Sequence, residues 1–325
     1  MDMLARPGRT CPLSYRYSPS SITARLSLNA ETLWIAGGLY GNTLALDALL
    51  EAYEADRSSK ALIFNGDFHW FDVDAEDFHR VNETVLRFHA LRGNIETEIA
   101  APGEDAGCGC AYPDWVGDAT VEHSNRIIER LRATALASGP SLARLAELPM
   151  HLAARVGDAT VGTVHGDAGS LAGWGFSQEA LANAAGYAAA RAAFAEAGVD
   201  IFASSHTCLP VLQSFDEGAV LINNGSAGMP NFRGMTSGLV SRISVHRSQN
   251  ALYSTRFNAV FVEAIALAYD HRAWQERFLA QWPPGTDAHA SYWERITRGP
   301  RYEVAQAVRP ATGRAGCART AAGSR

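Results

Sequence analysis

A chain of 325 residues, 47% hydrophobic and 19% charged, can bury a sizeable core, which excludes a disordered or low-complexity protein. No apolar run approaches the roughly 18 residues of a membrane-spanning helix, and the formal net charge of −6 argues against a protein that grips nucleic acid mainly by its phosphates. Lys60 is the only lysine, so nearly all positive charge is arginine. Five arginines (Arg301, Arg309, Arg314, Arg319 and Arg325) stand against the single acid Glu303 after residue 300, a formal +4 that leaves −10 on residues 1–300.

The amino terminus shows no secretory apolar stretch, so a cytoplasmic location is the default expectation. The cysteines number five and are scattered, which does not look like a disulfide framework. Only Cys108-Gly-Cys110 has suggestive spacing, and without a second pair it reads as a small turn with two thiols.

Residues 1–28, polar and punctuated by Pro7, Pro12 and Pro19, read as a loosely attached extension. The apolar run 32–36 is a strand stopped by Gly37-Gly38, and Asn42 then caps a helix with Leu44, Leu46, Leu49 and Leu50 apolar. A second strand over 61–64 ends at Gly66-Asp67, and an amphipathic helix follows over 75–89. Residues 101–149 read as an inserted helical cap: a Gly- and Cys-rich stretch, then helices over 118–147 broken at Gly139-Pro140. Strands return at 150–155 and 160–164, a long Ala-rich helix covers 178–197, and strands follow at 201–203, 211–215 and 220–222. Segments 239–245 and 251–257 suggest an antiparallel hairpin turning near 247–250, and a helix is expected over 270–282. The Arg- and Ala-rich end reads as disordered. Alternating strands and helices of this length predict an α/β core over 29–265 with parallel strands, whose site lies at the carboxyl ends of those strands.

The residues at those strand ends carry the chemistry. They are Asp67 after Gly66, Asn94 after Gly93, His165 before Gly166, and His206 in Ser205-His-Thr-Cys208. One carboxylate, one amide oxygen and two imidazoles form a mixed O/N donor set that suits Mn, Fe or Zn, one or two ions, better than Ca or Mg.

Taken in order, Gly38-Leu39-Tyr40-Gly41-Asn42, Gly66-Asp67, Gly93-Asn94-Ile95-Glu96, His165-Gly166, Ser205-His206-Thr207-Cys208 and Asn223 to Pro230 resemble the successive blocks of the calcineurin-like metallophosphoesterase family. The resemblance spans roughly residues 32–245. It implies a β-sandwich flanked by helices and a metal centre that hydrolyses a phosphomonoester or phosphodiester through metal-bound hydroxide. It further implies that Asp67, Asn94, His165 and His206 hold one metal. The other metal's usual donors are replaced by Gly38, Tyr40 and Cys208.

Three explanations fit that asymmetry. Tyr40 and Cys208 serve as substitute ligands; or one metal suffices, with His69, Arg92 or Arg233 supplying the missing charge or proton; or the fold persists as a weakly active metal- or ligand-binding module. Asn42 and Asp167 are candidates for contacts to a small phosphorylated substrate, and Glu96 and Glu98 for supporting or proton-transferring roles.

Overall fold

The computed structural model describes residues 6–102, 106–139 and 141–311. Its strands are β1 (Leu26–Ala30), β2 (Thr32–Ala36), β3 (Lys60–Asn65), β4 (His89–Leu91), β5 (His151–Val156), β6 (Ala159–Val164), β7 (Ile201–Ser204), β8 (Val211–Ser214), β9 (Val220–Asn223), β10 (Gly238–Ser244), β11 (Ala251–Phe257), β12 (Val260–Leu267) and β13 (Val308–Arg309). Its helices are α1 (Thr43–Ala55), α2 (Ala75–Val85), α3 (Asn94–Ala100), α4 (Asp118–Ala137), α5 (Ser141–Ala146), α6 (Gln178–Leu181), α7 (Ala184–Ala197), α8 (His271–Gln281), α9 (Asp287–Arg298) and α10 (Val304–Ala307).

The strands form two sheets, ordered β1-β5-β6-β7-β9-β8-β13 and β11-β12-β10-β2-β3-β4. Period-two alternation assigns their faces. Leu33, Ile35 and Ile63 point between the sheets, where they meet Val161, Ile201 and Ile222. Trp34, Leu62 and Phe64 point outward into a second core under α1, α2, α4 and α8. On the opposite outer face Val164, Phe202 and Leu221 pack with Phe194 of α7. This is the expected α/β sandwich flanked by helices. Strands covered on both faces read as unbroken apolar runs, which is why β2 and β9 are fully buried.

Several expectations need correction. The sheets are mixed: β2, β3 and β4 run parallel, but β5 is antiparallel to β6, and β8 to β9. β10 and β11 do not pair with each other, because β12 lies between them and bonds to both. The actual hairpin is β11–β12, turning at Asn258 in the left-handed region (φ 48°). β12, with Val262, Ala264 and Ile265 buried, lies between β10 and β11.

The amino-terminal segment is not loosely attached over its described part. Tyr15 and Ile22 are buried, β1 pairs in parallel with β5, and Arg9 donates to the carbonyls of Pro113 and Val116. Single apolar anchors between prolines give no periodicity for a sequence reading to detect. The helical insertion is likewise part of the core, since Ile127, Ile128 and Leu131 of α4 are fully buried. Beyond the expected helix α8, the carboxyl-terminal region contributes α9, which packs on α4. The expected disorder near the terminus falls largely on 312–325, outside the described residues. Among the described residues no helix is long and apolar enough to cross a membrane.

Tyr15 ties the first segment to the middle of the chain by donating to Glu98 Oε1 at 2.6 Å. Burial holds its hydroxyl pKa far above normal, so it stays a donor. Tyr15→Phe removes a buried charge-assisted hydrogen bond, and a lowered urea midpoint corresponding to about 1.5–3 kcal/mol is expected.

Candidate metal centre

Asp67 and the block around it are placed by a strand end and a carboxylate brace. β3 stops at Asn65, Gly66 takes φ 73°, and Asp67 itself takes φ 51°. A side chain on Gly93 would collide with the Asp67 carboxylate, so the turn needs glycine there. Glu96, fully buried, accepts hydrogen bonds from the backbone N–H groups of Asp67, Phe68, His69 and Gly93 at 2.7–3.3 Å. It is a brace that locks two strand ends together and does not face the cleft.

Asp67, His165 and His206 offer ligand atoms that all lie within 4.8 Å of one another, and all three residues are buried. His165 Nε2 is the hub, 3.3 Å from Asp67 Oδ1, 3.3 Å from Asn94 Oδ1 and 3.2 Å from His206 Nδ1. The far atom of each ligand is spoken for. His165 Nδ1 is 2.8 Å from the Asn65 carbonyl, His206 Nε2 is 3.1 Å from the Cys110 carbonyl, and Asn94 Nδ2 donates to the Cys108 carbonyl at 2.9 Å. A carbonyl can only accept, so each of these nitrogens carries its hydrogen. With both rings neutral, the inward atoms are lone pairs: two imidazole nitrogens, an amide oxygen and a carboxylate.

Four acceptors facing one point require a positive charge there. A proton on His165 Nε2, shared with Asp67, supplies one, and that is the tendency of the ring. Burial lowers its pKa, but the Asp67 charge and hydrogen bond outweigh burial and raise it. A proton cannot reach all four acceptors well, and a metal ion can. His206 stays neutral over the physiological range, because burial and then His165 push it down to about 4. The donor set therefore fits a transition metal.

The other half of the resembling constellation is closed. Tyr40 Oη and Cys208 Sγ are 2.9 Å apart and paired with each other. A Cβ on Gly38 would lie 3.0–3.1 Å from the Tyr40 ring, so that ring occupies the space an Asp at 38 would need. Burial is the main cause that raises both the Tyr40 hydroxyl and the Cys208 thiol above their ordinary values. Neither is poised as an anion.

The remaining candidates are dispersed. His69 is fully buried, bonded to Asp72 at 2.6 Å and stacked on Phe78 at 3.9 Å, so it does not reach the cleft. Arg92 donates to the Ala146 carbonyl, and Arg233 lies on the surface beside Glu303. Asn42 caps α1 and donates to the Gly228 carbonyl. Asp167 accepts from the backbone of Gly169, Ser170 and Gly175 and organises the loop that carries Trp174. Glu98 pairs with Tyr15 and Arg132, away from the cleft. The cleft is lined instead by Trp70, Tyr112, Trp174 and Tyr292, together with Cys110. No motif marks these residues, although the tryptophan between Gly173 and Gly175 was a signal available in the sequence. Cys108 and Cys110 are disulfide-linked, which corrects the expectation of two thiols.

No protein-family model matches the chain, and no curated protein matches its sequence. Solved structures do match. A metallophosphoesterase from Sphaerobacter thermophilus is similar over 84% of this chain and 100% of its own, at 16% identity and TM-score 0.52. Hypothetical protein PH1004 from Pyrococcus horikoshii OT3 is similar over the same shares, at 14% identity and TM-score 0.54. The chain has the metallophosphoesterase fold.

Glu96→Gln places an amide NH2 against backbone donors where a carboxylate oxygen stood. Calorimetric titration with Mn2+ is expected to show affinity lowered about 10- to 100-fold.

Proposed function

We propose that the protein is a metal-dependent hydrolase of phosphoric esters, with a small phosphorylated molecule as substrate. The observation that carries this reading is the convergence of Asp67, Asn94, His165 and His206 on one point with every inward atom a lone pair. The fold shared with the Sphaerobacter thermophilus metallophosphoesterase supports it.

These four residues would hold one Mn, Fe or Zn ion. Bound there, it would supply Lewis acidity toward a phosphoryl oxygen and lower the pKa of a coordinated water. The reaction adds one water across a P–O bond: the water oxygen bonds to phosphorus, and the ester oxygen leaves with the bonding pair and gains a proton. The chain's own contribution is orientation. Three backbone carbonyls fix the ligand tautomers and the amide, and Glu96 fixes the Asp67 turn, so little reorganisation is left for the reaction itself.

A second reading is a metal-binding module without turnover, favoured by the closed Tyr40–Cys208 pair and by the lack of arginine or lysine among the described residues that line the cleft. One experiment separates the two. Purified protein is expected to bind one metal per chain and to hydrolyse bis(4-nitrophenyl) phosphate, with Asp67→Ala lowering kcat/KM roughly 100-fold or more. Metal without turnover above that variant leaves the binding module, and the absence of both overturns the metal reading.

The count of one has its own check. Cys208→His restores one missing donor but leaves Gly38 and Tyr40, so elemental analysis of this variant is expected still to give one metal per chain.

A further inference from the structure

The wall above Asp67 and His206 is aromatic and extends to the surface. Trp174 stands edge-on to His206 with ring centroids 5.4 Å apart, and Trp115 stands edge-on to Trp174 at 6.2 Å. Trp115 is 60% exposed, an unusual state for an indole. Trp174 is held in place from two sides. Its Nε1 donates to the Cys110 carbonyl that also receives His206, and its loop is pinned by Asp167, against which a side chain on Gly173 would collide. The wall is thus built before any ligand arrives.

The cleft is small. Its volume is about 40 Å3, against roughly 150 Å3 for a cavity that takes benzene, so an aromatic ring is not enclosed there and lies farther out along the wall, where Trp174 meets Trp115. Among the described residues that line the cleft none is lysine or arginine; Arg295 lies behind Cys208, donating to the carbonyls of Cys208 and Pro230 and keeping its charge. With Asp67 offsetting one charge of a divalent ion and the Arg295 guanidinium outside the lining, one negative charge on the substrate is favoured over two or more.

Resting on the phosphoesterase reading above, we propose that the substrate is a monoanionic phosphodiester whose retained ester group carries a planar aromatic ring, seated against Trp115. Indole faces stack on any such ring, a nucleobase included, without hydrogen-bond readout.

The test uses the full chain loaded with Mn2+ and three esters that all release 4-nitrophenolate: thymidine 5′-(4-nitrophenyl) phosphate, phenyl 4-nitrophenyl phosphate and methyl 4-nitrophenyl phosphate. Each ester is compared with itself in wild type, Trp115→Ala and Trp115→Phe, so intrinsic reactivity cancels. Trp115→Ala is expected to raise KM about tenfold for ring-bearing esters and to leave the methyl ester unchanged, with Trp115→Phe recovering most of the loss. An effect on the thymidine ester alone assigns a nucleobase, and an effect on both ring-bearing esters assigns any aryl group. No effect, or an equal effect on all three, overturns the inference. If none of the esters turns over, the phosphoesterase reading fails and binding decides the inference. In that case the methyl ester of thymidine 5′-phosphate is titrated against dimethyl phosphate by calorimetry. A preference for the thymidine ester that Trp115→Ala abolishes supports the aromatic seat, and equal binding overturns it.

Discussion

The carbonyl oxygens of Asn65, Cys108 and Cys110 each accept one hydrogen from a residue of the buried cluster, and by doing so they decide what faces inward. A neutral histidine that donates to a carbonyl through one ring nitrogen presents a lone pair on the other. The two histidines, the Asn94 amide and the Asp67 carboxylate therefore oppose one another across about 3 Å, an arrangement that repels itself unless a cation sits between. Much of the surrounding structure can be understood as holding that unfavourable set together. The Glu96 brace clamps the two glycine turns, and the Cys108–Cys110 loop is clamped by α3, α4 and the amino-terminal segment. Gly109 lies so close to Tyr15 that no side chain would fit there.

Backbone strain is concentrated at the same place. Five described residues other than glycine have positive φ, and three of them, Tyr40, Asp67 and Cys208, line this cleft. Such conformations cost of order 1 kcal/mol or more and persist where the surroundings enforce them. Tyr40 and Cys208 have their side chains paired with each other. Gly38, Tyr40 and Cys208 also fit together sterically, since glycine at 38 makes room for the Tyr40 ring.

How much was legible in the sequence follows from this geometry. Asp67, Asn94, His165 and His206 were readable because each stands beside a glycine or at a strand end, where local sequence fixes local backbone. His69, Asp167 and Glu96 stand two residues from those positions along the chain, and proximity along the chain is a poor guide once a turn sends successive side chains in different directions. His69 is two residues from Asp67 yet points into the core against Phe78. The aromatic lining was illegible for the opposite reason. Tyr112, Trp174 and Tyr292 come from a loop after the disulfide, a second loop and a helix near the carboxyl terminus, brought together only by tertiary packing. The strand order failed for a similar reason, since β12 inserts between β10 and β11 to bury both of its own faces, and no local signal encodes that choice.

Charge sets the last constraint. The formal −10 on residues 1–300 opposes the approach of a phosphate from solution, and among the described residues that line the cleft none is lysine or arginine, Arg295 lying behind Cys208. In the proposed site an anionic ligand would gain its binding from a buried cation and from apolar contact. Those two sources would act at different depths, the cation among Asp67, His165 and His206 and the apolar contact beside Trp115. The ring contacts from His206 to Trp174 to Trp115 join the two depths in one wall, and the Cys110 carbonyl, which receives both His206 and Trp174, fixes the ligand and the wall from a single atom. A shift of that carbonyl would move the His206 ring and the aromatic wall together, so in the proposed site metal affinity and ligand fit would be coupled through one loop.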